Sequence, residues 1–497
     1  MEVFAGGVSE SDRVFKGLTS AIDEVLSNTS ASASLRHEVL QMAVTFVCGI
    51  SQLSPGAYFL RHDLFPCIVT TITSPETEQF TFEAALLLAL LANFHKSDAA
   101  KLNPYLRCIR ETTNEDLMRK ICWAANFASA AVVRAYQEII DDSPPTLTAT
   151  FGSLLSALRP DRALAAKPAD PARELFKNQP IEACVILLPL FEFLHGSATF
   201  RQVFAATLTS QEERKTSTPV TPLPLTLLSL SSYLLSHASS SSSPRAIAYA
   251  NLAMNTLLVI SESAEILVAL RNDTQDEIRL CRQRPPPLPP FQPPRPPLCA
   301  MLDCCILWLR HNLHKRLETQ CYITCIRTCY RLLWYLQKEH VRLEYHWQEL
   351  WRALALLLDF LASKLDSLTT GGGVEQLTLL VVDFALCRSE QLLPSPKAVH
   401  EIVYEVVRSA DVFRKQKVLL DKLARPHTSA LEKRLSGGQA RASQALSNIT
   451  ALAEQYEVKL RDAGVRSANQ GLRAIAQDIE QDGLSYGADL HGTEDPP

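Results

Sequence analysis

The sequence predicts an all-α protein, a superhelix of stacked helices in two lobes joined by a proline-rich connector. Three observations carry that prediction. Apolar residues recur every three or four positions in nearly every apolar segment. Glycine is scarce, 17 in 497 residues, which disfavours sandwiches, barrels and dinucleotide folds with their many left-handed turns. Proline is plentiful, at 29, and falls where the helical pattern stops.

Val14, Leu18, Ile22 and Val25 share one helical face, and Leu35, Val39, Met42, Phe46 and Ile50 share the next. Ser54-Pro55-Gly56 breaks the pattern. Residues 58–72 read as a helix that Pro66 kinks or starts, and Ser74-Pro75 as the cap of a helix through residue 91. Asn103-Pro104 opens a short helix to residue 109, and residues 114–140 form a long amphipathic one. First helices of successive pairs begin near residues 35 and 76. That spacing, roughly 40 residues, matches an armadillo/HEAT-like α-α superhelix.

Residues 143–180 read as a proline- and alanine-rich loop. The stack resumes over 181–208, and 225–235 and 246–270 each read as one helix. Nine prolines in residues 285–297 exclude helix and favour an exposed, extended polyproline connector. Helices follow over 298–315, 318–337, 345–365, 374–389 and 398–423. Arg425-Pro426 and Ser436-Gly437-Gly438 read as breaks, before thin helices over 440–456 and 466–479. The organisation is therefore an N-terminal lobe (1–215), a Thr-Pro- and Ser-rich linker with one helix (216–245), a connecting helix (246–284) and the proline connector (285–297). A C-terminal helical domain (298–424), amphipathic helices (425–486) and a disordered tail (487–497) complete it.

Lys and Arg total 49 against 53 Asp and Glu, a net charge of −4, which argues against a nucleic-acid partner. The apolar runs at 84–94, 246–261 and 353–365 are cut by polar or charged residues before they reach a membrane span of about 20 residues. The first residues lack a basic, apolar leader, so reduced cysteines in the cytosol are expected. Leu435-Ser436-Gly437-Gly438-Gln439 spells an ATP-binding-cassette signature. The sequence has no Gly-Lys dipeptide, hence no Walker A loop to face it. It contains no nucleophile elbow, His-Glu-x-x-His or Gly-x-Gly-x-x-Gly, so no catalytic residue, cofactor or metal ligand is assigned.

Cys321, Cys325 and Cys329 repeat every four residues, one helix after Cys304 and Cys305. A shared metal is conceivable for Cys325 and Cys329, but packed core thiols are the favoured reading. Residues 305–345 carry a positive excess that suits either a solvated face or an anionic lipid surface. Trp347 and Trp351, one turn apart, read mostly as core, with a partner contact as the alternative. The polar run 272–276 ends a helix and should hold Leu270 near the surface, so Leu270 and Arg271 are a candidate partner contact. In the proline stretch, Arg284, Pro287 and Pro290 fit a basic-first SH3-ligand pattern, and Pro290, Pro293 and Arg295 a basic-last one.

The run Pro296-Pro297-Leu298-Cys299-Ala300-Met301-Leu302-Asp303 opens a segment that resembles the C-terminal domain of the armadillo-like helical domain-containing protein family. Val341-Arg342-Leu343-Glu344-Tyr345-His346-Trp347-Gln348-Glu349-Leu350-Trp351 is its most distinctive stretch. Leu393-Pro394-Ser395-Pro396 and Glu401-Ile402-Val403-Tyr404-Glu405 are similar to its later part. Upstream, Ala84-Ala85-Leu86-Leu87-Leu88-Ala89-Leu90-Leu91-Ala92-Asn93, Asn103-Pro104-Tyr105 and Thr218-Pro219-Val220-Thr221-Pro222 also look like the family. Against that family the chain lacks the opening part of a typical member. The resemblance implies a non-catalytic Golgi scaffold that supports Golgi maintenance and secretion. It implies binding to phosphatidylinositol 4-kinase beta and help in recruiting a large Arf guanine-nucleotide exchange factor. Hydropathy, with no membrane span read, favours peripheral attachment, so the resemblance implies a cytoplasmic protein held peripherally on the Golgi membrane. The rival readings are a cytosolic enzyme whose site is assembled from distant residues, and a generic protein-interaction solenoid.

Overall fold

Short amphipathic helices are marginal alone in water and persist when each lays its apolar stripe on a neighbour. A computed structural model describes residues 8–49, 53–94, 103–139, 179–209, 221–239, 243–281, 284, 286–289, 294–314, 317–368, 395–423 and 432–482. Among these the regular structure is helical, apart from one isolated antiparallel bridge between Thr274 and Arg295. The expected all-α class is therefore what the structure shows among the described residues. The chain divides into two compact units. One comprises Met1–Leu234, Ser243–Gln283 and Gln292–Pro297; the other comprises Leu235–Ser242, Arg284–Phe291 and Leu298–Pro497.

The first unit opens with α1 (Val8–Ser27), α2 (Ala33–Gly49), α3 (Leu53–Arg61), α4 (Phe65–Thr73) and α5 (Thr81–Ala92). It continues with α6 (Pro104–Glu111), α7 (Glu115–Ile139), α8 (Leu187–Gly196) and α9 (Ala198–Thr209). Most of α10 (Leu223–His237), α11 (Pro244–Glu262) and α12 (Ala264–Leu270) complete it. Helix α1 packs on α4, α2 on α5, α4 on α7, α5 on α8, α8 on α11 and α9 on α12. Helix α5 is thus covered on several sides, and Ala84, Leu87, Leu88, Ala89 and Leu91 have no solvent exposure. That explains why its sequence is apolar all round.

Several boundaries differ from the sequence reading, each for a local reason. Ser54-Pro55-Gly56 lies in the first turn of α3, where a proline lacks no needed donor. A Cβ on Gly56 would fall 1.5 Å from the Phe94 ring, so any side chain there would force that ring to move. Pro66 starts α4 rather than kinking a longer helix. Helix α5 begins at Thr81, not near Pro75, because the buried Thr77 hydroxyl donates to Thr71 O at 2.7 Å and folds the turn back. The expected 181–208 and 246–270 helices are each broken. Ser197 ends α8 in extended backbone, and its Oγ accepts from Phe200 N at 3.1 Å to start α9 at 111°. Ser263, also extended, turns α12 by 95° from α11.

Asn103 joins two helices of this unit. Its Oδ1 accepts from Tyr105 N at 2.9 Å and caps α6, while its Nδ2 donates to Leu91 O and Ala92 O at the end of α5. The Tyr105 hydroxyl in turn donates to Phe59 O at 2.7 Å.

The second unit contains α13 (Pro297–His311), α14 (Thr319–Lys338), α15 (Trp347–Leu368), α16 (Pro396–Arg408), α17 (Ala410–Leu423), α18 (Glu432–Asp462) and α19 (Ala468–Asp482). The expected 398–423 helix breaks at Ser409 into α16 and α17. Helix α18 runs straight through Ser436-Gly437-Gly438, a predicted break, since good helix formers flank the two glycines. His340 takes a left-handed φ of 53° where α14 ends, and Val341 N donates back to Leu336 O at 2.8 Å. The expected 374–389 helix and the tail from 487 lie outside the described residues.

Charged side chains link α13, α15 and α16. Arg310 pairs with Glu349, Glu349 with Arg352 at 2.9 Å, and Arg352 with Glu405 at 2.5 Å. Arg310 and Glu405 are almost fully buried, so part of the positive excess at 305–345 is neutralised inside the fold rather than solvated.

The end of α10 is tied to the end of α13. Arg284 Nη1 donates to Ser236 O at 2.9 Å and His311 O at 3.1 Å. Asn312 Nδ2 donates to Leu235 O at 2.6 Å and Trp308 O at 3.2 Å, and Ser239 N donates to Asn312 Oδ1 at 3.1 Å. A cation placed on two helix C-termini also complements both dipoles. Burial, with Arg284 nearby, pushes the His237 imidazole down to about 3 and that of His311 down to about 4.

Two outcomes are expected. Unfolded histidines titrate near 6.5, so below that pH the unfolded chain binds the extra protons. Stability of the second unit is complete above about pH 6.5 and falls toward pH 4, at up to about 1.4 kcal/mol per pH unit for each histidine. Urea melts across this range should show the slope, and His237→Gln should flatten it; equal slopes would count against the assignment. In the first unit, Asn103→Ala should cost about 2–4 kcal/mol, from the lost cap and two abandoned carbonyls. Asn103→Asp, which keeps the cap alone, should cost less in the same melts.

Candidate functional site

Helix α7 sets an aromatic pair on its outer face. Leu117, Ile121, Ala125, Val132 and Tyr136 are buried and define the inner arc. At about 100° per residue, Trp123 and Phe127 lie roughly 160° around the helix from the middle of that arc. They are 61% and 65% exposed, and their rings stack 6.0 Å apart with planes at 18°. Arg119 pairs with Glu115 at 2.6 Å on one side, and Arg134 is exposed on the other. Asn126, next to Phe127 in sequence, donates to Thr221 O at 2.8 Å. Large aromatic rings held in water by a fixed helix suit a protein contact, where such side chains act as anchors. The sequence marks residues 114–140 as amphipathic, and the signal that finds Trp123 and Phe127 is their projection onto the polar side of that helix.

The sequence-predicted contacts fare differently. Leu270 is 2% exposed, a correction to its expected place near the surface. The turn at Ser263 swings α12 against α9 and α11, so its last leucine faces inward; Arg271 is half-buried. Trp347 is 6% exposed and its indole Nε1 donates to Leu343 O at 3.1 Å, so it belongs to the core. Tyr345 meets it edge-on at 5.3 Å, and Trp351 is half-buried one turn on.

In the proline stretch the described residues before Pro297, which opens α13, are non-helical, as expected, but not wholly exposed. Pro287 is exposed, whereas Leu288 is 5% exposed. Arg284, the basic residue of the first SH3-ligand pattern, donates to the carbonyls at the ends of α10 and α13. Arg295, of the second pattern, is half-buried, and its backbone pairs with Thr274. Pro290 and Pro293 lie outside the described residues.

Cys304, Cys305, Cys321, Cys325 and Cys329 are packed in the core, as read. Cys305, Cys325 and Cys329 are all buried, and their sulfurs lie within 4.8 Å of one another. The four-residue repeat on α14 is visible in the sequence; the third sulfur, from α13, comes from tertiary packing. The neighbouring Cys305 and Cys325 thiols hold the Cys329 thiol below its ordinary range, while the Cys325 thiol donates to Cys305 O at 3.6 Å. The Cys325 thiol is pushed up, first by burial.

Comparison with known proteins matches residues 295–482 to the C-terminal domain of armadillo-like helical domain-containing protein 3. The protein of that name from Danio rerio is 25% identical over 451 residues, covering 82% of this chain and 63% of its own length. Its Homo sapiens counterpart is 25% identical over 502 residues, covering 91% and 69%. A Schizosaccharomyces pombe protein named as a UPF0588 membrane protein is 24% identical over 383 residues, covering 75% and 60%. The chain thus spans between 60% and 69% of the length of these relatives. The distinctive stretches at 296–303, 341–351 and 393–405 fall inside the matched segment.

Assigning Trp347 to the core has a measurable consequence. Trp347→Ala should destabilise the second unit by roughly 3–5 kcal/mol through the cavity it leaves. Unchanged thermal stability would return the residue to the surface.

Proposed function

We propose that this relative of the armadillo-like helical domain-containing proteins is a non-catalytic scaffold, held peripherally on Golgi membranes, that positions a partner protein there. The observation that supports this most is the stacked Trp123–Phe127 pair on the outer face of α7. A stack of helices offers a long continuous face for contacts and has no need of a cleft. By family resemblance the partner is phosphatidylinositol 4-kinase beta, and the scaffold helps recruit a large Arf guanine-nucleotide exchange factor.

Peripheral attachment fits the helices. Among the described residues no single helix is long and apolar enough to cross a membrane. Two sharply bent pairs, α8 with α9 and α11 with α12, pass that test by length and composition. Their apolar runs are spent on each other, α8 on α11 and α9 on α12. A relative named as a membrane protein is compatible with residence at membranes.

The test is a pull-down of the purified kinase with the full chain carrying Trp123→Ser and Phe127→Ser. Exposed positions should leave stability within about 0.5 kcal/mol. Binding should weaken at least about tenfold if the pair anchors the contact. Full binding by the folded variant would remove this face, and no binding by the unaltered chain would remove the kinase as partner.

A further inference from the structure

We propose that Cys305, Cys325 and Cys329 form a three-sulfur site for a soft, thiol-preferring d10 cation, with Cu(I) the ion that fits it. Two of the sulfurs come from successive turns of α14 and the third from α13, so the site needs both helices in place. All three residues have no solvent exposure, and each sulfur lies within 4.8 Å of the others. With metal–sulfur bonds of about 2.3 Å, a planar three-coordinate ion needs sulfurs about 4.0 Å apart. Closing the triangle therefore takes less than about 1 Å, within reach of side-chain torsions alone.

Coordination number selects the ion. Among the described residues no fourth Cys, His, Asp or Glu ligand atom shares this cluster. Structural zinc almost always takes four ligands, whereas soft thiolates without nitrogen or oxygen partners favour Cu(I). Binding one Cu(I) forms three Cu–S bonds and releases two thiol protons to solvent. The third sulfur keeps its proton, leaving a net charge of −1 on the site. One turn away on the same helices, Trp308 and Tyr322 pack 5.4 Å apart, and both are essentially fully buried. The ion therefore enters as α13 and α14 come together during folding, and it then staples them.

The test uses the full chain, produced with copper supplied and purified without oxygen. Metal analysis should find close to one copper per chain, and X-ray absorption should find three sulfur neighbours. Cys329→Ser and Cys305→Ser should each weaken Cu(I) retention against a chromophoric chelator by more than about a hundredfold, beyond the effect of outer-shell changes. Cys321→Ala, a buried thiol of α14 outside the cluster, should retain the ion. Should the serine variants fail to fold, the unaltered chain decides. Its melting temperature should be higher after refolding with Cu(I) than with the chelator, because an ion bound only to the folded state stabilises it. Copper-free protein, equal melting temperatures, copper kept by Cys329→Ser, or zinc in place of copper would each overturn the proposal.

Discussion

The Arg284 guanidinium is the contact on which the second unit's construction turns. Every helix ends with carbonyls that its own backbone cannot satisfy. Here one side chain serves two such ends, at Ser236 in α10 and His311 in α13. Asn312 and Ser239 complete the same junction through Leu235, Trp308 and each other. Residues more than seventy positions apart are thereby fixed side by side. The junction matters because the chain that follows Arg284 is dense in proline. Such a backbone lacks the donors to knit itself into helix or sheet. It is held instead at separate points: by Arg284 and the buried Leu288 in one unit, and by the Thr274–Arg295 bridge in the other.

Much of the fold was legible because its signals are local. Asn103-Pro104 marks a helix start through a cap that reaches only two residues onward. The apolar spacing of 114–140 and 318–337 gives α7 and α14 nearly to the residue. The errors lie where tertiary contacts decide. Ser263 and Ser409 end helices with neither glycine nor proline to announce it. Gly437-Gly438 looks like a stop, yet sits inside the 31-residue α18. The polar residues after Leu270 point it toward the surface, whereas the bend at Ser263 decides which way it faces.

The candidate sites divide the same way. Trp347 was readable as core from its spacing, and it is core. Trp123 and Phe127 were in plain view but needed the inner arc of α7 to be drawn first. The contribution of Cys305 could not be read, since nothing in the sequence states which face of α13 meets α14. Together these features describe a protein whose interior is densely committed. Arginines 284 and 310 bond internally, the thiols of α13 and α14 cluster in the core, and His237 and His311 are held neutral. The outer face of α7, by contrast, keeps two large rings in water. Within the first unit, a packed helix that holds two rings in water suits the scaffold reading proposed above.

Hydrogen exchange on Arg284→Met tests the claim about the junction most directly. Methionine keeps much of the aliphatic bulk and removes both hydrogen bonds. The account predicts faster exchange in peptides from the end of α10 and the end of α13 together, with α4, α5 and α8 unchanged. Loss of protection at only one of the two ends, or at neither, would contradict it.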